Sequence, residues 1–449
     1  MIKISVKVLA VIALQLMVSC GSGESSKKAE NAGKTDTITT EASQAVRLPA
    51  PYATPSASVN SEVVGWPASK TPKVPEGFSV TRFAAGLKNP RWVYVAANGD
   101  VFVAESAKER SLPEKVKKTL SGKSGSGDLV ESPNAVLMFR DKDNDGIPEI
   151  KTTFLTGLNQ PFGMLVLGNS FYVANTDGLM QYPYEPGQTK ITAAGKKIIE
   201  LPAGGYNNHW TRNIMASKDG KKIYITVGSG SNVGENGMEH EVHRAAILEI
   251  NPDGTGERVY ASGLRNPQGM GWAPDAQNTL WTVVNERDGL GDDLVPDYMT
   301  SVKNGGFYGW PYAYWGQNED PRLKDKQRPD LVKKTIVPEV DLGSHTASLG
   351  LAFDEQRAFP GKYAGGAFIG QHGSWNSSRL VGYRVAFVPF KDGQPSGGPE
   401  PFLTGFIADS ASSKVYGRPV GVAFTSGGAM LVTDDAGKTI WRVVARKNG

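Results

Sequence analysis

The segment Gly263-Leu264-Arg265-Asn266-Pro267-Gln268-Gly269-Met270 precedes the apolar run Thr279-Leu280-Trp281-Thr282. Short runs rich in β-branched and aromatic residues are typical of strands, and Gly, Asn and Asp between them are typical of tight turns. The same succession of a Gly- or Arg-rich start, an apolar run, a turn and a second apolar run returns five more times. These copies span residues 86–104, 157–174, 209–226, 345–369 and 418–433.

The six copies predict an all-β fold, a six-bladed β-propeller. They follow one another at about 60 residues each, the length of one four-stranded sheet with its loops. A sheet of that size cannot bury its faces alone, and radial stacking in a closed ring buries the faces and protects the edges. A pair of β-sandwiches is the alternative, but it does not explain the matched strand starts.

Composition limits the classes of protein that fit. The 449 residues are 39% hydrophobic and 21% charged, with 53 glycines, which indicates a folded chain with many turns. The formal net charge of +4 is small, so we expect no nucleic-acid partner. Cys20 is the only cysteine, which excludes intramolecular disulfides and cysteine-based zinc sites.

The N-terminal region predicts secretion and lipid anchoring. Residues 1–20 combine a positive start, an apolar run and the sequence Leu16-Met17-Val18-Ser19-Cys20-Gly21, which resembles a bacterial lipobox. We therefore expect lipidation at Cys20 and a location in the bacterial cell envelope, on the periplasmic or outer-membrane face. The alternative is an ordinary cleaved signal with an incidental cysteine. Residues 21–72 are polar and predict a disordered linker, and residues 73–449 form the propeller domain.

Polar residues recur at the strand starts, which face one central cavity in a propeller. An Arg- and His-rich lining suits a planar anionic ligand, because Arg makes paired contacts with carboxylates and stacks on flat rings. The alternative is that these side chains satisfy backbone carbonyls in nearby loops. The set comprises Arg91, Gln160, His209, Arg212, Arg265, Asn266, Gln268, His345, His372 and Arg418.

His209 is the candidate general base, since a neutral imidazole accepts a proton near neutral pH. His345 and His372 are expected at the cavity. His240 and His243 belong to the segment Glu239-His240-Glu241-Val242-His243, in which the two histidines have the spacing of metal ligands. No third ligand is evident in the sequence, so a surface loop is the favoured interpretation.

Two acidic clusters offer oxygen ligands for a hard cation. Asp141, Asp143 and Asp145 alternate ahead of Gly146, as in the first half of an EF-hand loop, and Thr152 stands where that loop needs Glu. A hairpin turn is the equal alternative there. The second cluster, residues 285–293, contributes Asp288, Asp292 and Asp293 and is favoured as a calcium site.

Residues 75–445 resemble the pyrroloquinoline quinone (PQQ)-dependent soluble sugar dehydrogenases, the glucose/sorbosone dehydrogenase group, with sorbosone-dehydrogenase-like members nearest. The Arg-Asn-Pro-Gln-Gly and Gly-Trp-Pro segments together are fairly specific. The resemblance is carried by residues 209–213, 263–270, 285–293, 304–311 and 370–376.

The resemblance implies an oxidoreductase that holds PQQ and Ca²⁺ on the propeller axis and oxidises the C1 hydroxyl or hydrated aldehyde of a sugar by hydride transfer. It implies that His209 is the general base and that Arg265 stabilises negative charge on the quinone oxygens. Ca²⁺ would be held partly by main-chain carbonyls at Arg287 and Asp288. An external acceptor, for example a cytochrome, would take the electrons. The cofactor-binding set would be Gln160, Arg212, Arg265, Asn266, His372 and Arg418.

Two departures from the family pattern concern the site. Ser229 stands where the glucose-oxidising branch has a carboxylate that orients the base, and His372 falls near the position of a cofactor-binding lysine. Glucose is therefore a poor substrate expectation. A calcium-dependent lactonase and a non-catalytic glycan-binding propeller are the alternative functions. Four aromatic residues are candidates for a sugar-facing rim or for blade packing: Trp210, Trp310, Trp315 and Trp375.

Overall fold

The computed structural model describes residues 46–110, 131–275, 277–373 and 375–446. All of them belong to the second of two units, Ala42–Gly449. The expected signal peptide and Cys20 lie outside the described residues. Among the described residues, no helix has the length and apolarity to cross a bilayer.

The described part of the chain is built almost entirely of β-strands. Its first half contains β1 (Glu62–Val63), β2 (Phe78–Ala85), β3 (Pro90–Val95), β4 (Val101–Glu105), β5 (Ala135–Arg140), β6 (Ile150–Leu155), β7 (Met164–Leu167), β8 (Ser170–Asn175), β9 (Gly178–Pro183), β10 (Lys196–Glu200), β11 (Ile214–Ala216), β12 (Ile223–Val227), β13 (Ala246–Ile250), β14 (Arg258–Ser262), β15 (Pro267–Trp272) and β16 (Leu280–Val284). Its second half contains β17 (Pro296–Ser301), β18 (Gly306–Phe307), β19 (Ala313–Tyr314), β20 (Asn318–Glu319), β21 (Val340–Ser344), β22 (Ala352–Phe353), β23 (Ala367–Gln371), β24 (Arg384–Val388), β25 (Phe390–Lys391), β26 (Gln394–Pro395), β27 (Glu400–Leu403), β28 (Ile407–Asp409), β29 (Lys414–Val415), β30 (Pro419–Phe424), β31 (Met430–Asp434) and β32 (Thr439–Ala445). The described helical pieces are α1 (Pro329–Val332) and the 3-10 turns Met238–Glu241, Pro321–Lys326 and Gly361–Tyr363.

Antiparallel sheets of at least four strands follow one another along the chain. Their strand orders are β3-β4-β5-β6, β7-β8-β9-β10, β11-β12-β13-β14 with β18 added in parallel, β15-β16-β17-β21, β22-β23-β24-β27 and β30-β31-β32-β2. The first strand of each sheet contacts the first strand of the next, in the closed cycle β3, β7, β11, β15, β22, β30 and back to β3. This arrangement is propeller-type. The predicted all-β class is confirmed.

The last sheet contains strands from both ends of the domain. Strand β2 pairs antiparallel with β32, from Phe78 opposite Ala445 to Ala85 opposite Thr439. Beyond the pair, the N–H of Arg446 donates to the carbonyl of Gly77 at 2.7 Å. The ring is therefore closed by backbone hydrogen bonds within one sheet.

Apolar side chains fill the space between neighbouring sheets. Phe102 on β4 lies 4.8 Å from Phe171 on β8 and 4.7 Å from Phe154 on β6, measured between ring centroids. All three rings are fully buried. Burial of one such side chain contributes about 1.5–3 kcal/mol, so these contacts hold the first two sheets together. Middle strands packed on both faces show continuous burial, as in β4.

The prediction of an unstructured linker as far as residue 72 is wrong for residues 46–72. Residues 48–66, named the strap below, lie against the propeller. Leu48 packs beside Leu290 and Tyr314, and Trp66 lies 4.9 Å from Trp441 and donates its Nε1–H to Asp434 at 2.7 Å. The few apolar residues of this segment bury themselves against propeller loops, so a polar average composition does not leave it unfolded.

Candidate active site

Polar strand starts from all around the ring line one cavity of about 400 Å³. Eight of the ten side chains expected at the axis lie in its wall, so residues far apart in sequence meet at one place. These eight are Arg91, His209, Arg265, Asn266, Gln268, His345, His372 and Arg418.

Arg212 and Gln160 do not line the cavity in the described part of the chain. The fully buried Arg212 donates to the carbonyls of His209 at 2.7 Å and Pro202 at 2.7 Å, and burial lowers its pKa to about 9. Gln160 accepts the N–H of Glu109 at 2.9 Å. Both side chains are thus engaged with groups of the protein, away from the cavity wall. Arg212 instead fixes the backbone that carries His209, since its donors serve main-chain carbonyls.

His209 is held in one tautomer by Ser229. Its Nδ1 lies 2.7 Å from the Ser229 carbonyl oxygen and 3.0 Å from Ser229 Oγ. The carbonyl can only accept, so Nδ1 carries the proton and Nε2 keeps its lone pair. Burial lowers the pKa of His209 well below 6.5, and the positive charge of Arg265 acts in the same direction. The imidazole is therefore neutral and able to accept a proton at Nε2.

Gly228 lets His209 and Asn266 approach each other. A Cβ at Gly228 would lie 2.4 Å from Asn266 Oδ1 and 2.6 Å from His209 Cβ, closer than atoms can pack. Asn266 Oδ1 also accepts from Gln268 Nε2 at 2.7 Å. The absence of a side chain at residue 228 thus brings the candidate base and the Asn side chain together.

Glu241 supports the loop that orients His209, and the sequence reasoning missed it. This buried carboxylate accepts the N–H groups of Gly230 at 2.7 Å and Ser231 at 2.9 Å, and also the Ser231 hydroxyl. Ser229 Oγ in turn donates to the Ser231 carbonyl at 2.6 Å. Glu241 thus acts on the imidazole indirectly, by holding the loop that carries Ser229.

Glu241 stands in a segment that the sequence singles out, Glu239-His240-Glu241-Val242-His243, but only the spacing of the two histidines was interpreted. His240 is exposed beside Glu239, and His243 pairs with Glu257 at 2.9 Å between Nδ1 and Oε1. Neither histidine lines the described cavity. The favoured surface-loop interpretation of the two histidines fits this placement.

Arg265 is fixed by acceptors on three sides. Its Nη1 donates to the Glu286 carbonyl at 2.6 Å, its Nη2 donates to Asn232 Oδ1 at 2.9 Å, and Nη2 lies 3.4 Å from Asp288 Oδ2. Burial disfavours the Asp288 carboxylate, but a hydrogen bond from His345 and the charge of Arg265 outweigh it and lower its pKa to about 2. A charged pair therefore lies at the cavity wall near His209.

Across the cavity, His372 and Arg91 share a carboxylate. His372 Nε2 lies 3.0 Å from Asp435 Oδ1 and 3.2 Å from Arg91 Nη1, and Arg91 pairs with Asp435. Burial lowers the pKa of His372 to about 4, and the charge of Arg418 adds to this effect. Arg418 donates its Nε–H to the His372 carbonyl at 3.1 Å.

Cations outnumber carboxylates in the cavity wall. Two carboxylates, Asp288 and Asp435, face five cationic side chains among the described lining residues. Both carboxylates are already paired with Arg or His. This balance fits an anionic ligand and gives no support to a lactonase, which needs several free oxygen ligands for its calcium. The cations are Arg91, Lys108, Arg110, Arg265 and Arg418.

Three of the four residues predicted to hold calcium near the axis, Asp288, Asp292 and Asp293, have oxygens that are hydrogen-bonded or exposed. The Asp288 carbonyl accepts from Arg322 Nη1 at 2.6 Å and from Asn232 Nδ2 at 3.0 Å, which uses both lone pairs. Asp292 accepts from the backbone and hydroxyl of Ser378 outside the cavity, and Asp293 is exposed.

Arg287 is the fourth residue of the predicted calcium set, and its side chain forms ion pairs and hydrogen bonds within the protein. Its wholly buried guanidinium pairs with Glu286 and with Asp320, and it donates to the Pro311 carbonyl at 2.7 Å. These contacts occupy the guanidinium of Arg287, whereas the calcium prediction concerns its main-chain carbonyl oxygen, so for Arg287 the calcium role stays a prediction.

The other acidic cluster forms the hairpin loop between β5 and β6. Carboxylate oxygens of Asp141, Asp143 and Glu149 lie within 4.8 Å of one another, so Glu149 takes the place expected for Asp145. Asp145 instead accepts the N–H of Ile147 at 2.7 Å. The loop thus has the predicted turn, far along the sheet from the cavity strand β3.

Trp375 is the one candidate rim tryptophan with a large exposed fraction, 45%, and it lines the cavity. Trp210 also lines the cavity but is buried beside Arg91, whose guanidinium lies 5.9 Å from its ring. Trp310 donates to the Asn232 carbonyl at 2.9 Å, and Trp315 packs on Tyr298. Trp310 and Trp315 thus pack within the protein, which was the alternative to a place on a sugar-facing rim.

The TrAA12-like family model matches residues 72–446. The chain belongs to the TrAA12-like family. It is 27% identical over 395 residues to an uncharacterized protein of Borreliella burgdorferi, covering 84% of this chain and 92% of that one. It is 31% identical over 171 residues to an aldose sugar dehydrogenase of Escherichia coli, covering 38% of this chain and 41% of that one.

Solved structures agree with the family at the level of fold. The family AA12 enzyme of Trichoderma reesei superposes with a TM-score of 0.66 at 18% identity, over 86% of this chain and 100% of that one. The holo PQQ domain of a pyranose dehydrogenase from Coprinopsis cinerea gives 0.65 at 18% identity, over 86% and 100%. The resemblance found in the sequence of this TrAA12-like protein is thus confirmed for family and fold.

Proposed function

We propose that this TrAA12-like protein is a PQQ-dependent oxidoreductase, built on a six-bladed propeller, that oxidises the C1 hydroxyl or hydrated aldehyde of a sugar. The observation that carries the proposal is the pairing of a neutral His209, with Nε2 unprotonated, and the buried cation Arg265 on one cavity. A base beside a fixed positive charge suits removal of a hydroxyl proton next to an acceptor that becomes anionic.

The cavity fits PQQ in size and charge. A volume of about 400 Å³ falls within the range usual for cofactor sites. PQQ is a planar tricarboxylate, and Arg265, Asn266 and Arg418 are the side chains that would hold its oxygens, supported by the charges of Arg91 and Lys108. The chemistry that bound PQQ supplies is acceptance of two electrons, as hydride, from the sugar carbon.

His209 would take the hydroxyl proton at Nε2. The Nδ1–H bond to Ser229 keeps the imidazole from rotating and stabilises the positive charge that the ring gains. The low pKa of His209 means that the ring releases this proton readily after turnover. The base is thus reset by loss of this proton to solvent water.

Arg265 would present fixed positive charge to the developing negative charge. Its guanidinium is held by Glu286, Asn232 and Asp288, so no reorganisation is needed when charge develops. His345 and Asn376 in turn hold Asp288, through His345 Nδ1 at 3.5 Å and Asn376 Nδ2 at 2.8 Å. A protein-held calcium ion is not part of the proposal, since the Asp288 carbonyl and the Asp292 carboxylate already accept hydrogen bonds.

The test is reconstitution. Purified protein is titrated with PQQ while the absorption spectrum is followed, and dye reduction is then assayed with D-glucose, D-xylose, L-fucose, cellobiose and L-sorbosone. We expect saturable uptake and turnover of at least one of these compounds. His209→Ala should lower kcat by about 10²–10⁴-fold with PQQ affinity retained. His243→Ala, which removes an exposed histidine outside the cavity, should retain full activity.

Three outcomes would count against the proposed function. If the spectrum does not change and no compound is oxidised, the proposal fails. Saturable sugar binding without PQQ uptake would favour the non-catalytic glycan-binding alternative. Hydrolysis of lactones without added quinone would favour the lactonase.

We also propose that Cys20 carries lipid and anchors the enzyme in the cell envelope, where an external acceptor such as a cytochrome would receive its electrons. The support is the lipobox-like sequence around the sole cysteine. Cys20→Ser should move the protein from the membrane fraction to the soluble fraction and abolish incorporation of a fatty-acid label. Retention of the variant in the membrane fraction would contradict the anchor.

A further inference from the structure

The strap, residues 48–66, runs over the cavity side of the propeller and is attached at both ends. Near its start, Tyr52 donates its N–H to the Leu290 carbonyl at 2.7 Å, and Thr54 Oγ1 accepts the N–H of Asp292 at 3.0 Å. Near its end, β1 pairs in parallel with β29, so the strap spans from the loop after β16 to the last sheets of the ring.

The middle of the strap enters the cavity wall. Asn60 and Ser61 both line the cavity, although neither belongs to any of the repeated sheets. Ser61 is buried there, at 4% exposure. The N–H of Val59 donates to the Trp375 carbonyl at 2.8 Å, which places Asn60 and Ser61 directly after a contact with the exposed rim tryptophan.

This corner of the cavity wall combines neutral polar groups with an exposed aromatic ring. Asn60 and Ser61 offer one amide and one hydroxyl, which donate and accept hydrogen bonds without charge, and none of the five cations of the described wall belongs to the strap. Trp375 adds an aromatic face, 45% exposed, whose negative charge density favours contact with polarised C–H groups. A flat ring of C–H groups edged by hydroxyls is the surface of a pyranose.

We propose that Asn60, Ser61 and Trp375 form a saccharide-binding subsite in which the strap positions the sugar whose hydroxyl reaches His209. This inference rests on the proposed function and names the part of the cavity that holds the substrate. The strap thereby contributes to substrate affinity, and the cationic wall contributes to cofactor affinity.

The two attachments make the subsite rigid. Gly291 allows the strap to approach closely, because a Cβ there would lie 2.9 Å from the Thr54 carbonyl oxygen. On the other side, the N–H groups of Glu62 and Val64 donate to Ser413 and Val415 at 2.9 Å each. Asn60 and Ser61 therefore lie between fixed points, and binding does not have to order a free loop.

The test separates sugar contacts from cofactor contacts. Asn60→Ala, Ser61→Ala, Trp375→Ala and Trp375→Phe are loaded with PQQ, and KM is measured for the sugars of the reconstitution panel that loaded wild-type enzyme oxidises, with PQQ affinity measured spectroscopically. Ser58→Ala is the matched control, an exposed strap serine outside the cavity lining. We expect each alanine variant to raise KM about 3–10-fold, as for loss of one hydrogen bond or ring contact.

Three further results are expected from the same experiment. PQQ affinity and kcat should stay within about twofold of wild type, Trp375→Phe should recover most of the loss, and Ser58→Ala should match wild type. Unchanged KM values in the alanine variants, or weaker PQQ binding instead of weaker sugar binding, would overturn the subsite. Failure of the proposed function is separate, because wild-type protein would then take up no PQQ and oxidise no compound of the panel.

Discussion

At the residue scale, the proton on His209 is placed by a main-chain carbonyl rather than by a carboxylate. A carbonyl fixes the tautomer as a carboxylate does, but it adds no full negative charge to favour the protonated ring. The pKa of His209 is therefore lowered by burial and by the charge of Arg265, and the hydrogen bond to Ser229 and the charge of Asp288 oppose them without outweighing them.

This low pKa predicts the pH dependence of the reaction. A base works when deprotonated, so kcat/KM should stay level as pH falls through 6.5 and decline only well below it. Arg265→Gln removes a positive charge, which raises the pKa of His209 and moves the acid limb to higher pH, whatever the loss in maximal rate. Arg258→Gln, outside the cavity lining and paired with Glu249, should leave the limb unmoved.

The measurement is the kcat/KM profile of the PQQ-loaded enzyme, with an NMR titration of the imidazole as a readout independent of turnover. An acid limb near 6.5 in wild type, or a limb that moves to lower pH in Arg265→Gln, would contradict this account.

Eight of the ten side chains expected at the axis lie in the cavity wall, and the other two show that the direction of a side chain is not visible in the sequence. Arg265 and Arg212 follow equivalent polar strand starts, yet one points to the cavity and the other lies under the His209 loop. Nothing in the residue type separates the two, since both donate to main-chain carbonyls. The same difficulty applies to the predicted calcium ligands, since Arg322, distant in sequence, binds the Asp288 carbonyl.

At the element scale, the turn Met238–Glu241 determines the shape of the loop from Gly228 to Ser231. Glu241 binds two successive N–H groups of that loop, as an acid commonly does where backbone donors converge. The element thereby holds the Ser229 carbonyl in place under His209 without touching the cavity.

We predict that Glu241→Gln lowers kcat by about 10–100-fold, the usual cost of losing a supporting contact behind an active residue. PQQ affinity and KM should change by less than about twofold, because the loop carries none of the cavity's cations. Glu239→Gln is the matched control, an exposed glutamate two positions away.

The deciding measurements are kcat and KM, determined separately, and the pH at which the acid limb of the kcat/KM profile falls. Loss of the Ser229 bond lets Nδ1 and Nε2 exchange roles, so the limb should shift as well as the rate. A variant that loses stability and cofactor affinity but keeps kcat would show Glu241 to be a folding residue only.

The strap shows why an element can be missed when composition is averaged over a segment. Residues 21–72 are polar as a whole, but Leu48, Val63 and Trp66 each meet a partner on the propeller. Three apolar residues with no helical or alternating period give no pattern to recognise in the sequence. Their partners are supplied by loops more than 200 residues away, as for Leu48 and Leu290.

At the scale of the whole molecule, repeated strand starts predicted the sheets, but not how the ring is joined. The last sheet takes three strands from the C-terminal end and β2 from the start of the domain. Sequence alone gives no pairing partner for β2, since the partner lies at the opposite end. Trp441 on β32 is central to this sheet, fully buried and 4.9 Å from Trp66 on the strap.

We predict that Trp441→Ala lowers the free energy of unfolding by about 3–5 kcal/mol, through lost burial and an unfilled cavity. Trp375→Ala is the control with the same chemical change at a half-exposed ring, and it should cost under about 1 kcal/mol. Urea unfolding followed by circular dichroism measures both. Equal losses in the two variants would contradict the idea that the joining sheet controls stability.

The hydrogen bond from Arg446 to Gly77 brings the two ends of the blade region side by side. A circular permutant that fuses residue 446 to residue 77 through a short linker, with new termini opened at the hairpin around Gly220, would preserve every ladder of the ring. The strap would then be absent from the polypeptide, and it could be supplied as a separate peptide. Substrate recognition and oxidation chemistry would thereby become physically separable parts.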